Sequence, residues 1–154
     1  NATTIWERWD GIKPDGSFQN PGMNSFNHYA YGAIGEWLYR VVAGIEIDEQ
    51  QPGYKHIIIQ PHPGGGLESV KAEHHSLYGP IACEWSIEKE TFTLRVRIPA
   101  NTTATLLLPK TDIDQVTESG ERVAAADGVI NTGQAGERGR IRVGSGEYVF
   151  KYAY

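Results

Sequence analysis

The sequence holds a single cysteine, Cys83, and a single methionine, Met23, so no internal disulfide can form and zinc sites built on several thiolates are excluded. No uninterrupted apolar run reaches 18 residues, which excludes a membrane-spanning helix. Basic clusters are also missing. Fourteen lysines and arginines stand against 19 acidic residues, for a formal net charge of −5 at pH 7, whereas a nucleic-acid surface needs a basic face. The 18 glycines and 8 prolines among 154 residues fall short of low-complexity sequence. What remains is the composition of a packed protein, 40% hydrophobic and 21% charged. The chain opens at Asn1-Ala2-Thr3-Thr4 without a charged and apolar leader, and is expected to be a piece of a longer protein.

Two periodicities divide it. Over residues 24–44, Phe26, Ala30, Ala33, Ile34, Trp37, Leu38, Val41 and Val42 recur at steps of three and four, which predicts a helix. Asn24 or Ser25 would cap its start and Gly44 its end. Tyr29, Tyr31 and Tyr39 widen the apolar face, so the helix needs cover from the rest of the chain or from a missing partner. Gly11, Pro14, Gly16, Pro21 and Gly22 mark the preceding stretch as a long loop. After Gly53 the period becomes two. Residues 57–59, 81–88, 91–98, 106–108, 113–116, 141–143 and 148–152 read as short strands, with Lys89-Glu90 closing a hairpin. That spacing predicts an antiparallel β-sandwich, with residues 1–52 and 53–154 as the two parts.

The most suggestive chemistry lies in Trp6-Glu7-Arg8-Trp9. A carboxylate between two indoles is drawn partly out of water, and tryptophan faces and carboxylates both suit sugars. Thr4-Ile5-Trp6-Glu7 equally matches a capping box, in which Thr4 and Glu7 bond each other's amides, and Glu7 could also pair with Arg8. Both alternatives stand at this level. His28 falls in the first turn of the expected helix, where a neutral imidazole is favoured and can bind a hydroxyl or brace the preceding loop. His74 and His75 point to opposite faces of a strand, and His56 and His62 have no second ligand at helical or strand spacing, so no metal site is expected. Gly64-Gly65-Gly66 lacks the lysine and hydroxyl of a phosphate loop, and Cys83 shares a core face with Trp85 and Ile87.

The strings TTIWERWDG and SFNHYAYGAIGEWLYRVVAGI resemble the end of the catalytic domain of bacterial α-L-rhamnosidases of glycoside hydrolase family 78. HIIIQPHPGGGLESVKAEHHSLYGPIACEWSIE and TLRVRIPANTTATLLLP resemble that family's C-terminal β-sandwich. The resemblance weakens after about residue 110. It implies a mixed fold, the terminal helical segment of an (α/α)6 toroid followed by an all-β antiparallel sandwich. Twelve helices need roughly 200 residues, so only about the first 50 residues here could belong to the toroid. The resemblance further implies an inverting hydrolase acting on terminal α-L-rhamnosyl groups, with Glu7 as general base and His28 in contact with the sugar. The general acid would lie upstream, and the fragment alone would be inactive. The expected partners are a rhamnosyl glycoside and the missing upstream part of the parent chain, with no cofactor, metal, nucleic acid or membrane. The rival expectations are a toroidal glycosidase of different sugar specificity and a non-catalytic carbohydrate-binding or structural sandwich.

Overall fold

The computed structural model describes residues 3–29 and 32–154. Two compact units emerge, Asn1–Trp37 and Leu38–Tyr154. Along the chain, the division between them falls well upstream of the one expected at residues 52 and 53. The reason is β1 (Ile45–Ile47), which pairs antiparallel with β2 (His56–Ile59) and so draws residues ahead of Pro52 into the sandwich.

In the first unit, the expected helix forms only in part. The α-helix α1 spans Gly32–Trp37, and Ala30 and Tyr31 lie outside the described residues. Residues 24–28 are not helical because their backbone groups bond another segment: Ser25 O accepts from the Glu7 amide (2.9 Å) and the His28 amide donates to Ile5 O (2.8 Å). Tertiary pairing overrides the helical propensity of this stretch. The preceding loop is structured too. Ile12 and Phe18 form an isolated bridge, Lys13 N–H bonds Ser17 O (2.8 Å), and the Asp15 carboxylate accepts from both the amide and the hydroxyl of Ser17. Those bonds hold the Asp15 carboxyl below its usual pKa.

The second unit opens with a π-helical turn, Leu38–Ala43, closed by Gly44 in the left-handed region (φ 87°). The turn's last carbonyls are satisfied from the sandwich: the Trp85 indole donates to Val42 O (2.8 Å) and the Cys83 thiol to Ala43 O (3.1 Å). The remaining strands are β3 (Ser69–Ser76), β4 (Gly79–Glu88), β5 (Thr91–Ile98), β6 (Thr103–Leu108), β7 (Thr117–Glu118), β8 (Glu121–Arg122), β9 (Val129–Ala135), β10 (Arg138–Val143) and β11 (Gly146–Ala153). They form one sheet in the order β1-β2-β6-β10-β9 and another in the order β3-β4-β5-β11-β7-β8. One pair departs from the antiparallel expectation. β2 and β6 run parallel, and the crossover this requires is supplied by β3–β5 in the other sheet.

The alternation legible in the sequence is the alternation of burial. Ile81, Cys83, Trp85, Phe92, Leu94, Leu106, Ile141 and Phe150 are fully buried between the sheets, and Trp85 stacks on Phe92 at 6.2 Å. Lys89 and Glu90 both take positive φ (48° and 62°), the backbone of a two-residue hairpin turn. The strand expected at 113–116 is instead a 3₁₀ turn, Ile113–Gln115, because the Asp112 carboxylate caps the Asp114 amide (3.1 Å) and Val116 N–H folds back to Ile113 O.

Candidate active site

Glu7 sits on a non-helical segment, so the capping-box alternative does not form. Its amide is spent on Ser25 O, and the Thr4 hydroxyl donates to Phe26 O. The two bonds between residues 5–7 and 25–28 hold the backbones carrying Glu7 and His28 side by side, though twenty residues separate them in sequence. Behind this ladder lies an aromatic cluster: Phe26 meets Trp6 edge-on at 5.0 Å and Phe18 at 5.8 Å. Gly11 is buried against it, and a Cβ there would stand 2.9 Å from Phe26 Cε1.

The side chains are disposed unequally. Glu7 and Trp6 are half-buried, whereas Trp9 is 99% exposed, so the carboxylate is flanked by one packed indole and one in solvent. Arg8 does not pair with Glu7; its guanidinium donates to Gln19 Oε1 (3.0 Å). Glu7 lines a crevice of about 10 Å³ with Arg8, Gly11, Asn24, Ser25 and Phe26. That is about the volume of one water and far below that of a sugar ring. His28 is half-buried and stacked on the exposed Tyr29 (5.5 Å, 12°). It lies ahead of α1 (Gly32–Trp37) in sequence, outside the first helical turn in which it was expected. From sequence, Asn24 or Ser25 is assigned to the helix cap and Phe26 to its apolar face, so they are missed as crevice residues; Ser25 enters through its main-chain carbonyl.

The other candidates resolve into structure. His74 packs against the Tyr54 ring (4.7 Å) and His75 bonds Glu73 (2.9 Å). His62 contacts Arg138 at 3.3 Å, and burial aided by that guanidinium lowers its pKa. Cys83 is fully buried, which pushes its thiol up to about 12. Among the described residues, no group of three or more His, Cys, Asp or Glu side chains could hold a metal ion. A concavity of about 710 Å³ is an open groove lined by residues 110–114, Gln134 and Glu137. It is a poor site because its central amide is already occupied: Gln134 Nε2 donates to Thr111 O (2.9 Å) and Gly136 O (3.0 Å).

Comparison with known proteins bears on both units. Residues 44–123 match the family model described as the bacterial alpha-L-rhamnosidase C-terminal domain. Residues 1–42 match the bacterial alpha-L-rhamnosidase 6 hairpin glycosidase domain. An alpha-L-rhamnosidase of Streptomyces avermitilis is 45% identical over 140 residues, covering 89% of this chain and 13% of the relative. One from Formosa agariphila is 48% identical over 108 residues, covering 70% of the chain and 11% of the relative. Among solved structures, the Streptomyces avermitilis alpha-L-rhamnosidase complexed with L-rhamnose superposes with a TM-score of 0.74 at 40% identity, over 97% of this chain and 14% of that one. The alpha-L-rhamnosidase from Dictyoglumus thermophilum superposes with a TM-score of 0.75 at 32% identity, over 99% and 16%. The chain thus spans about an eighth of the length of the relatives it matches. With a helical segment leading into a β-sandwich, and with the C-terminal-domain model covering more than half of its residues, the chain belongs to the bacterial α-L-rhamnosidase family.

Proposed function

We propose that this chain is part of an inverting α-L-rhamnosidase, in which Glu7 is the general base and His28 contacts the bound rhamnosyl group. The observation that carries the reading is the backbone ladder joining the Glu7 and His28 segments. It ties the segment carrying the Glu7 carboxylate to the one carrying the His28 imidazole, beside the Phe26 cluster. In an inverting hydrolysis the base deprotonates a water that attacks the anomeric carbon, while an acid on the opposite face of the ring protonates the leaving oxygen. The two carboxyls then stand roughly 6.5–9.5 Å apart so that the water fits between them. A crevice of water size beside Glu7 suits that role, and Arg8, tied to Gln19, does not neutralise the carboxylate, which has no ion-pair partner among the described residues and can take the water's proton. The His28 imidazole, with one donor and one acceptor when neutral, suits a sugar hydroxyl. The acid and most of the sugar pocket come from elsewhere in the longer protein, and the 154-residue chain alone is inactive.

The test is turnover of an aryl α-L-rhamnoside by the longer protein. Glu7→Gln is expected to lower kcat by 10³-fold or more with folding intact. His28→Ala should chiefly raise KM, by removing a contact made in both ground and transition states. Near-normal kcat in Glu7→Gln refutes the base assignment. Preferential hydrolysis of an aryl glucoside by the unaltered enzyme would instead favour a related glycosidase of different sugar specificity.

A further inference from the structure

On the outer face of the five-stranded sheet, away from Glu7 in sequence and within the second unit, lies a cleft of about 280 Å³ lined by Asp48, Gln51, His56, Thr105, Asn131, Arg140 and Arg142. All seven side chains are polar, as befits the solvated face of the sheet, and they converge on one concavity. The strand register explains how they converge. Thr105 pairs with Arg142 across β6 and β10, and Arg142 with Asn131 across β10 and β9. Arg140 lies beside Gly133, where even a Cβ would come within 3.4 Å of its Nη2.

The polar groups here fall into two kinds. Some are already spoken for. His56 is buried and bridges Thr103 Oγ1 (2.7 Å) and Thr105 Oγ1 (2.9 Å) through its two ring nitrogens, fixing the Thr105 hydroxyl at the cleft wall. Arg138, next on the same face, bonds Leu107 O (3.2 Å) and contacts His62 Nδ1. Others stand open. The guanidiniums of Arg140 and Arg142 have no hydrogen-bond or ion-pair partner among the described residues, in a chain whose net charge is −5. On the sandwich's other outer face, by contrast, Arg97 is paired with Glu147 (2.8 Å) and Glu73 (3.8 Å). Two unpaired guanidiniums at one cleft call for an anion. Asp48, Asn131 and Gln51 add a carboxylate and two amides, which suit hydroxyl groups and would repel a densely acidic peptide.

We propose that this cleft binds an anionic sugar unit, a pyranose carrying a carboxylate, with Arg140 and Arg142 taking the carboxylate and Asp48, Asn131 and Thr105 taking ring hydroxyls. The site is separate from the hydrolytic reading of Glu7 and would hold a charged glycan on the sandwich. The experiment is an NMR titration of the 154-residue chain with glucuronate, L-rhamnose and inorganic sulfate in parallel, which reads binding without turnover. Glucuronate is expected to shift the side-chain signals of Arg140, Arg142 and Asn131, more weakly at higher salt. Arg140→Ala and Arg142→Ala should each weaken it at least tenfold with the amide fingerprint otherwise preserved. Arg142→Lys should recover only part of the affinity, since an ammonium lacks the guanidinium fork. Equal response to sulfate overturns the assignment to a sugar, equal response to rhamnose overturns the requirement for an anion, and no response to glucuronate overturns the site.

Discussion

Replacing Gly44 by alanine tests the junction where the π-turn enters the sandwich. Gly44 has φ 87°, and a Cβ there would stand 2.3 Å from Pro61 N and 2.5 Å from Gln60 C, against a practical limit of 3.0 Å. Those atoms are backbone, so no rotamer relieves the clash. Residues 60–61 must retreat, at the expense of the Gln60 N–H to Gly44 O bond (2.8 Å) and its neighbour from His62 N–H to Val41 O (3.2 Å). Gly53 is the control, with φ 92° and nothing within 4 Å of its Cβ position. Gly53→Ala should carry only the left-handed penalty, about 1–2 kcal/mol. Gly44→Ala carries the same penalty plus two backbone bonds at about 1 kcal/mol each, for about 3–4 kcal/mol. At this chain length each kcal/mol lowers Tm by about 2–4 °C, so the variants should separate by several degrees. Urea unfolding followed by tryptophan fluorescence provides the free energies, and an unchanged m-value certifies a stability effect. If the two variants agree within about 0.5 kcal/mol, the close approach is not what holds the junction.

Two further outcomes follow from titratable groups. Burial and the nearby Arg142 charge lower the His56 pKa below 6.5, outweighing Asp48, so the unfolded chain binds the proton more tightly than the folded one. Stability is therefore full above about pH 6.5 and lost as pH falls from there through the folded pKa, at no more than about 1.4 kcal/mol per pH unit from this group. His56→Gln should flatten that part of a urea-midpoint profile, and an unaltered slope would count against the assignment. Cys83, with its thiol near 12 and no exposure, should resist iodoacetamide at pH 8 in the folded chain and react at once in denaturant. Prompt labelling under native conditions would contradict its burial.

Local chemistry alone determined most of the sandwich. The period-two alternation of 81–88 and 91–98, the Lys89-Glu90 turn, the core placement of Cys83 and the terminating role of Gly44 each depend on neighbours in sequence, and each is present in the structure. What the tertiary structure decided is where backbone bonds go when two segments compete. Residues 24–28 have helical spacing, yet Ser25 O and the His28 amide are taken by residues 5–7, which also removes the capping-box role of Glu7. The parallel pairing of β2 with β6 and the gathering of Asp48, His56, Asn131, Arg140 and Arg142 at one cleft are likewise contacts between distant residues. Periodicity records which face of an element is apolar; it carries no record of which other element that face, or that carbonyl, will meet.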